Sequence, residues 1–578
     1  MKRSILLLIA VCLAFGLQAQ TIETASDAVK NMGLGWNLGN TLDAHNHNGN
    51  IDVTKDSYWG GQGLDSETCW GQKETKKELF TMMKNAGFGA IRVPVTWYNH
   101  MDKDGKVDAK WMARVHQIVD WCLEAGLYCI INVHPDTGAD SSDSKSWLKA
   151  DMATYNKQKS RYENLWKQIA TEFKDYDQRL LFESYNEMLD IYNSWCFATF
   201  NSPNKYDATV AADAYNAINN YAQSFVNVVR ATGGNNGNRN LIVNTYGACC
   251  GEGTWNQYLT DPLSNMKLPN DKTKNHLIFQ VHTYPNISSG NITNIKAGID
   301  QTIKALKTNL VSKGAPVIVG EWGTSNVDAG GGKTDYDVRR NVMLQFCEYF
   351  VKQMKANNIA TFYWMGLTDG SFRTHPAFNQ PDLAECLAKA YHGDSFKGEY
   401  PEYVQPAEVE VFNGTKVLAW GDAITIEAAV FKNAGEKCEV EISYTQTKAN
   451  GEDDIQLCYS DVNDGWKWKG ISFIVDGKTF STDFNPSKVY NTAANKDHVT
   501  VFTLPKADYD KLTQFGLIIH GSGITVKKVI VRDPVKADLN AITIAPTDAS
   551  AAYNLAGQRV GNDYKGIIIK NGKKIMKK

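Results

Sequence analysis

Short apolar runs and amphipathic helical stretches take turns along the first two thirds of the chain. The runs are residues 33–38, 90–95, 127–133, 180–185, 241–246, 277–284, 317–319 and 361–365. Each is brief and apolar, as a buried strand is. Between them, helical spacing of apolar positions predicts helices over 73–85, 109–124, 162–173, 211–230, 295–311, 338–356 and 381–390. Eight strand–helix units imply a parallel sheet, and together they predict an α/β fold, a (β/α)8 TIM barrel carrying insertions. A doubly wound open sheet is the competing architecture, but no G-x-G-x-x-G follows the first run.

After Gly393 the texture changes. Pro401, Pro406, Glu408 and Glu410 break the helical period and read as a linker. Beyond it, β-prone segments at 417–420, 423–431, 438–444, 470–474, 499–504, 515–520 and 524–531 predict an all-β, jelly-roll-like sandwich. Residues 553–578 form a last hairpin-like segment around Asn571-Gly572. The expected divisions are 1–20, 21–395 for the barrel, 396–410 for the linker, 411–535 for the sandwich and 536–578 for the tail.

Met1-Lys2-Arg3, the apolar stretch 4–17 and Gln18-Ala19-Gln20 have the charged start, greasy middle and small-residue end of a secretory signal. The stretch is shorter than the roughly 20 residues a spanning helix needs. Residues 1–20 are therefore expected to export the chain, to the medium or the outer cell surface. Ten cysteines follow Cys12, with Cys249 and Cys250 adjacent and none in C-x-x-C spacing, which predicts buried thiols or structural bridges rather than metal ligands.

Charge adds an exclusion. With 61 basic and 63 acidic residues the net charge is -2, and no long basic run precedes the last few residues, so a nucleic-acid partner is not expected. Fifteen Trp and 26 Tyr suit a neutral ligand with apolar CH faces.

In a (β/α)8 barrel, residues at the carboxyl ends of the strands converge on one face. Those ends carry Asn40, Arg92, His134, Asn186-Glu187, His282 with Tyr284, Glu321 and Trp364, while the fifth run offers no obvious actor. Two carboxylates suit glycoside hydrolysis, in which one acid protonates the leaving oxygen and one anion faces the anomeric carbon. Glu187 or Glu321 alone would read as a loop residue or a surface ion pair. Paired on one face, and flanked by Asn, His, Tyr and Trp, they read as a sugar site. In this reading Arg92 and Tyr284 hold the anion, His282 tunes the acid and Trp364 is a stacking platform.

These residues resemble glycoside hydrolase family 5. The resemblance spans roughly residues 21–391 and rests on GWNLGNTLD from Gly35, on Ile91-Arg92-Val93-Pro94, Asn186-Glu187, His282-Thr283-Tyr284, Gly320-Glu321-Trp322 and Trp364. It implies that Glu187 is the general acid/base with a raised pKa, Glu321 the nucleophile and Asn186 a partner of the sugar 2-hydroxyl. Arg92, His134, His282, Tyr284 and Trp364 match supporting positions, and Asn40 also lines the cleft. The branch it looks most like is rich in endo-β-1,4-glucanases, lichenases and xyloglucanases. Many of its members carry two histidines after the third strand, whereas this chain has His134-Pro135-Asp136.

The expectation is thus a monomeric, retaining, endo-acting β-1,4-glucanase acting on cellulose or mixed-linkage β-glucan, with no metal or cofactor. A xyloglucanase or β-mannanase on the same barrel is the alternative, and a non-catalytic glycan-binding protein is a further one. The stretch 45–50, HNHNGN, lacks carboxylate or cysteine ligands at usable spacing. Trp466 and Trp468 either stack on a sugar chain or fill the sandwich core. The tail is similar to those of many proteins exported by Bacteroidetes.

Overall fold

The computed structural model describes residues 22–45, 59–137, 146–190, 199–200, 205–251, 261–327, 333–374, 376–402, 408–419, 421–447, 453–490, 494–533 and strand residues between 552 and 577. The expected signal 1–20, His47 of the HNHNGN stretch and residues 536–551 of the tail lie outside them. The chain divides into two compact units, Met1–Ala329 with Lys333–Tyr403, and Gly330–Gly332 with Val404–Lys578.

In the first unit, eight parallel strands close into a barrel. They are β1 (Leu34–Asn37), β2 (Ala90–Val93), β3 (Tyr128–Asn132), β4 (Leu180–Glu183), β5 (Leu241–Asn244), β6 (Leu277–Thr283), β7 (Val317–Trp322) and β8 (Ala360–Tyr363), each beside its neighbour in sequence, with β8 against β1. Every apolar run read from the sequence overlaps one of them. Helix α1 (Ala25–Met32) precedes β1, and α2 (Lys77–Asn85), α3 (Ala109–Glu124), α4 (Met152–Glu172), α5 (Ala208–Ala231), α6 (Ile292–Asn309), α7 (Asp335–Ala356) and α8 (Pro381–His392) surround the strands. Helix α4 starts ten residues before the expected 162, because the Asp151 side chain caps it by accepting from the Thr154 N–H.

Two layers inside the barrel position the site. Ala90, Ile130, Leu181, Ile242, Ile278, Ile318 and Phe362 meet Ala25, Val29 and Met32 of α1, so an apolar plug fills the barrel at the end where α1 enters. Successive strand side chains alternate in direction, so the residue two further on points inward again. Those residues are Arg92, Asn132, Glu183, Asn244, Gln280 and Gly320, joined by Asn37 from β1. Beneath the carboxyl face the lining therefore turns from apolar to polar in a single step.

The second unit holds two antiparallel sheets. The larger, in spatial order, is β9 (Glu408–Val417), β18 (Ile524–Arg532), β11 (Glu439–Gln446), β16 (Asp497–Thr503), β14 (Ser472–Val475) and β15 (Lys478–Ser481). The smaller is β10 (Ile424–Ile426), β17 (Leu517–Ser522), β12 (Asp454–Asp461) and β13 (Lys467–Gly470), with Asp483–Phe484 pairing to β12. Alternate residues such as Val440, Ile442, Ile455, Leu457 and Ile519 meet in one core. Several features depart from the sequence reading. Strand β9 begins inside the expected linker and ends at Val417, so that 417–420 is not a strand of its own, and Ala428–Ala434 is helical where 423–431 read as β-prone, its run of alanines and Lys432 suiting a helix. Strand β15 has no counterpart in the sequence reading, and β12 has none because its outward Gln456, Ser460 and Asp461 dilute its apolar content. At the C-terminus, Gly566–Lys570 pairs antiparallel with Lys573–Lys577, and Asn571-Gly572 lies outside the described residues.

Trp466 and Trp468 are 65% and 41% exposed, which excludes them from the sandwich core. Only Trp468 lies within β13. Trp466 sits in the preceding turn at φ 64°, so the two rings are not carried on one straight strand. Among the described residues, Cys122, Cys129, Cys249, Cys250, Cys347, Cys438 and Cys458 are buried as expected, whereas Cys386 is half-buried and Cys69 is exposed, and no helix is long and apolar enough to cross a membrane.

Candidate active site

Arg92 is the hub of the polar layer. Its Nε–H donates to Glu183 Oε2 at 2.6 Å and one Nη2–H to Glu183 Oε1 at 2.8 Å. The other Nη2–H reaches Asn186 Oδ1 at 2.8 Å, and Nη1 donates to Asn37 Oδ1 at 3.0 Å and Glu321 Oε1 at 2.6 Å. All five guanidinium N–H groups are thereby used. Burial works against the charge, but Glu183 and Glu321 outweigh it and lift Arg92 above its ordinary value.

Glu183 is the base on which this hub stands. Beyond Arg92 it accepts from Asn132 Nδ2 at 3.0 Å and Asn244 Nδ2 at 3.3 Å. Asn244 also donates to the Asn186 carbonyl at 3.1 Å, so β5, which had no expected actor, fixes the backbone beside Glu187. Asn37 Nδ2 donates to the Gly320 carbonyl at 2.9 Å and ties β1 to β7.

Glu321 reaches the cleft through a backbone irregularity. Val281 pairs with Val319 and His282 with Glu321, which leaves Gly320 as one extra residue on β7. Without this bulge Glu321 would follow inward Ile318 and Gly320 at the wrong parity and face the helices. Once inside, Glu321 Oε2 accepts from the Tyr284 hydroxyl at 2.8 Å. Burial raises its carboxyl to about 7, while Arg92 and Tyr284 pull it back. Tyr284 itself is held well above its usual range by burial and then by Glu321, so it stays a donor.

Glu187 meets His282, whose Nδ1 lies 2.6 Å from Glu187 Oε1 and 3.5 Å from Glu321 Oε2. One oxygen of Glu187, one of Glu321 and a His282 nitrogen all lie within 4.8 Å of one another. That spacing would suit a divalent cation, but the Arg92 guanidinium already supplies a fixed positive charge to Glu321. His134 completes the ring, with Nε2 3.9 Å from Glu321 Oε1. Its Nδ1 lies 3.1 Å from Asn132 Nδ2, a donor, so the His134 proton belongs on Nε2, toward Glu321. Burial, then Arg92, holds His134 far below its ordinary value and hence neutral.

Trp364 lies parallel to the His134 ring, at 4° and 6.1 Å between centroids, and the bare Cα of Gly39 makes room for it: a Cβ there would sit 3.0 Å from the indole. Asn40 stands apart from this network. It turns the chain at φ 54°, a conformation asparagine tolerates, and its N–H donates to Asp43 Oδ2 at 3.0 Å. Next to Pro135, where the chain departs from the expected pair of histidines, Asp136 accepts from the backbone N–H groups of Trp97 and Tyr98, both at 2.9 Å, and from Trp147 Nε1 at 2.6 Å. It is a strut between the loops after β2 and β3. His45, from the other histidine stretch, packs edge-on against Trp70 and Tyr98.

Sequence reasoning missed Asn37, Asn132, Glu183, Asn244 and Gln280. Their signal was parity, since each stands two residues beyond an inward apolar residue or, for Asn37, beyond Gly35.

A closed parallel barrel with a buried Arg–Glu network and two carboxylates at its carboxyl face defines a barrel glycosidase. The family model Cellulase (glycosyl hydrolase family 5) matches residues 53–369, and the chain belongs to that family as an endoglucanase-like glycoside hydrolase. It is 31% identical over 389 residues to Endoglucanase B of Neocallimastix patriciarum, covering 65% of this chain and 72% of that protein. Among solved structures it is similar to a GH5-4 broad specificity endoglucanase from an uncultured bacterium, at 59% identity and TM-score 0.61, over 66% of this chain and 98% of the other. It is also similar to a family 5 enzyme from Prevotella bryantii, solved in complex with a xyloglucan tetradecasaccharide, at 40% identity and TM-score 0.54, over 64% of this chain and 99% of the other.

Proposed function

We propose that the chain hydrolyses internal β-1,4-glucosidic bonds with retention, through a glycosyl-enzyme intermediate on Glu321. The observation that carries this reading is the approach of Glu187 and Glu321 oxygens to within 4.8 Å. Retaining enzymes hold their carboxyl groups about 5 to 5.5 Å apart, whereas inverting ones leave room for a water. In the first step Glu187 gives its proton to the glycosidic oxygen as Glu321 bonds to the anomeric carbon and the aglycone leaves. In the second, Glu187 takes a proton from the water that attacks that carbon, and Glu321 departs as carboxylate.

The neighbours fit these roles. Arg92 and Tyr284 each hold one Glu321 oxygen, which favours the anion and aims it. Asn186 must offer Oδ1 to Arg92, which has only donors, so its Nδ2 turns away from the guanidinium and has no partner among the described residues. A sugar 2-hydroxyl is the acceptor this reading supplies. Trp364 offers a flat face for a pyranose ring.

Cellulose and mixed-linkage glucan are the proposed substrates. Xyloglucan is the second reading, favoured by the Prevotella bryantii complex, and mannan the third. A reducing-sugar assay across the four polymers, with the product anomer followed by proton NMR at early times, tests both bond and stereochemistry. First-formed α-anomer would overturn retention, and inactivity on every polymer would favour the binding-protein alternative.

Tyr284→Phe checks the assignment of the anion. Its hydroxyl favours ionised Glu321, so removing it should raise the Glu321 pKa. Glu321 must be ionised to attack; activity is lost as pH falls through that pKa. The acid limb of the kcat/KM profile should therefore move to higher pH, by about one unit for a hydrogen bond worth about 1.4 kcal/mol. An unmoved limb would count against Glu321 as the anion.

The exposed Trp466 and Trp468 support a glycan-binding role for the sandwich, with the Trp468 ring 4.9 Å from that of His520. In an inactive Glu321→Gln background, changing both tryptophans to alanine should weaken retention in glucan affinity gels roughly tenfold, about the value of one stacked ring. Unchanged mobility would remove the sandwich from substrate capture. Export of a monomer by residues 1–20 completes the proposal, and N-terminal sequencing and sizing of the secreted protein test it.

A further inference from the structure

Gln280 lies in the polar layer of β6, two residues before His282, and is fully buried. Its Nε2 is 3.2 Å from His282 Nε2, on the side of the ring opposite Glu187. Its Oε1 is also buried and has no hydrogen-bond partner among the described residues. The amide lies flat over Gly320, where a Cβ would sit 2.3 Å from Gln280 Cδ, so the extra residue on β7 leaves the room that this side chain fills.

The orientation of the Gln280 amide, with Nε2 toward His282, decides how the hydrogen-bond chain reads. Arg92 and Glu321 face His282 from β2 and β7, His134 and Glu187 from beyond β3 and β4, and Tyr284 stands just past the end of β6. Burial, with Arg92 and His134 nearby, keeps the imidazole neutral, so it carries a single proton. Gln280 Nε2–H points at His282 Nε2, which must then be the bare nitrogen, and the proton lies on Nδ1, directed at Glu187 Oε1 at 2.6 Å. A Glu187 oxygen that accepts this bond is a poor place for the acidic proton.

We propose that Gln280 is a positioning residue that selects the Nδ1–H tautomer of His282 and so keeps the transferable proton of Glu187 on Oε2, the oxygen His282 does not hold. The inference rests on the reading of Glu187 as acid/base. With the opposite tautomer, a bare Nδ1 would draw the proton to Oε1, away from the glycosidic oxygen, and would stabilise protonated Glu187.

Two variants of the full chain move the system in opposite directions. In Gln280→Leu the selecting donor is gone. Hydrolysis of cellotetraose, which needs the acid, should fall on the order of tenfold, a fraction of the whole general-acid effect. Hydrolysis of 2,4-dinitrophenyl β-cellobioside, whose leaving group needs no proton, should hold at the bond-breaking step, and the basic limb for cellotetraose should move up. In Gln280→Glu a carboxylate faces His282 Nε2 and favours the imidazolium, whose charge promotes ionisation of Glu187, so the basic limb should move down by about one pH unit. The wild-type Nδ1–H signal in a spectrum with 15N-labelled histidine side chains, assigned by its loss in His282→Asn, should weaken or shift in Gln280→Leu. Equal losses on both substrates, with unmoved limbs and an unchanged signal, would reduce Gln280 to packing and overturn the inference while leaving the acid/base reading intact. If Glu187→Gln cleaves cellotetraose at the wild-type rate, the acid/base reading falls and the inference with it.

Discussion

Glu321→Gln should leave almost no turnover, a fall on the order of 10^4 or more, as expected when a nucleophile is removed. The fold should be retained, because glutamine keeps the shape of glutamate and can present its oxygen to Arg92 Nη1 and its nitrogen to the Tyr284 oxygen. Binding of cellotetraose by calorimetry should persist, since the variant loses attack rather than the cleft. In Glu321→Gly, which opens space at the anomeric carbon, added azide should yield the α-glycosyl azide, the anomer opposite to the normal product. Turnover above a hundredth of wild type in the glutamine variant would refute the nucleophile assignment, and loss of the melting transition would show that the side chain acts first in folding.

The second large effect is on stability. Glu183→Leu should cost about 3–5 kcal/mol, because it leaves the Arg92 Nε–H and one Nη2–H buried without partners at a site with no side-chain exposure on either residue. Against a total of roughly 5–15 kcal/mol, that is a large share. Urea unfolding of the barrel should report it, and Lys352→Ala, which breaks an exposed ion pair with Glu348, should change stability by less than about 1 kcal/mol. A Glu183 variant as stable as wild type would mean that the guanidinium finds other acceptors. Activity should fall too, because Arg92 would lose the group that orients its fork toward Glu321 and Asn186.

The eight barrel strands were legible because parallel strands covered on both faces are continuous apolar runs. The converging set Arg92, His134, Asn186, Glu187, His282, Tyr284, Glu321 and Trp364 was legible because these residues stand at or just past the ends of those runs. Asn37, Asn132, Glu183, Asn244 and Gln280 were not read. In strands of four to seven residues an inward polar side chain one layer down looks like the polar end of the run. Glu183 shows this best. It closes LLFE as the polar end of that run, four residues before Glu187, yet it is the carboxylate that holds Arg92 Nε and Nη2.

Burial raises the Glu321 carboxyl, and nothing in Gly320-Glu321-Trp322 announces it. Desolvation depends on what surrounds a carboxyl in three dimensions, and no local pattern reports it. The same holds for the extra residue at Gly320. A bulge is a mismatch between neighbouring strands, so β7 alone cannot reveal that Glu321 turns inward or that Gln280 occupies the space beside it.

The order of strands and helices and the acids at or past two strand ends follow from the sequence by itself, because periodicity is a local property of the chain. Which polar side chains share Arg92, that Glu187 and Glu321 approach within 4.8 Å, and that Trp466 and Trp468 face solvent were decided only by the tertiary structure, since each depends on segments far apart in sequence meeting at one place.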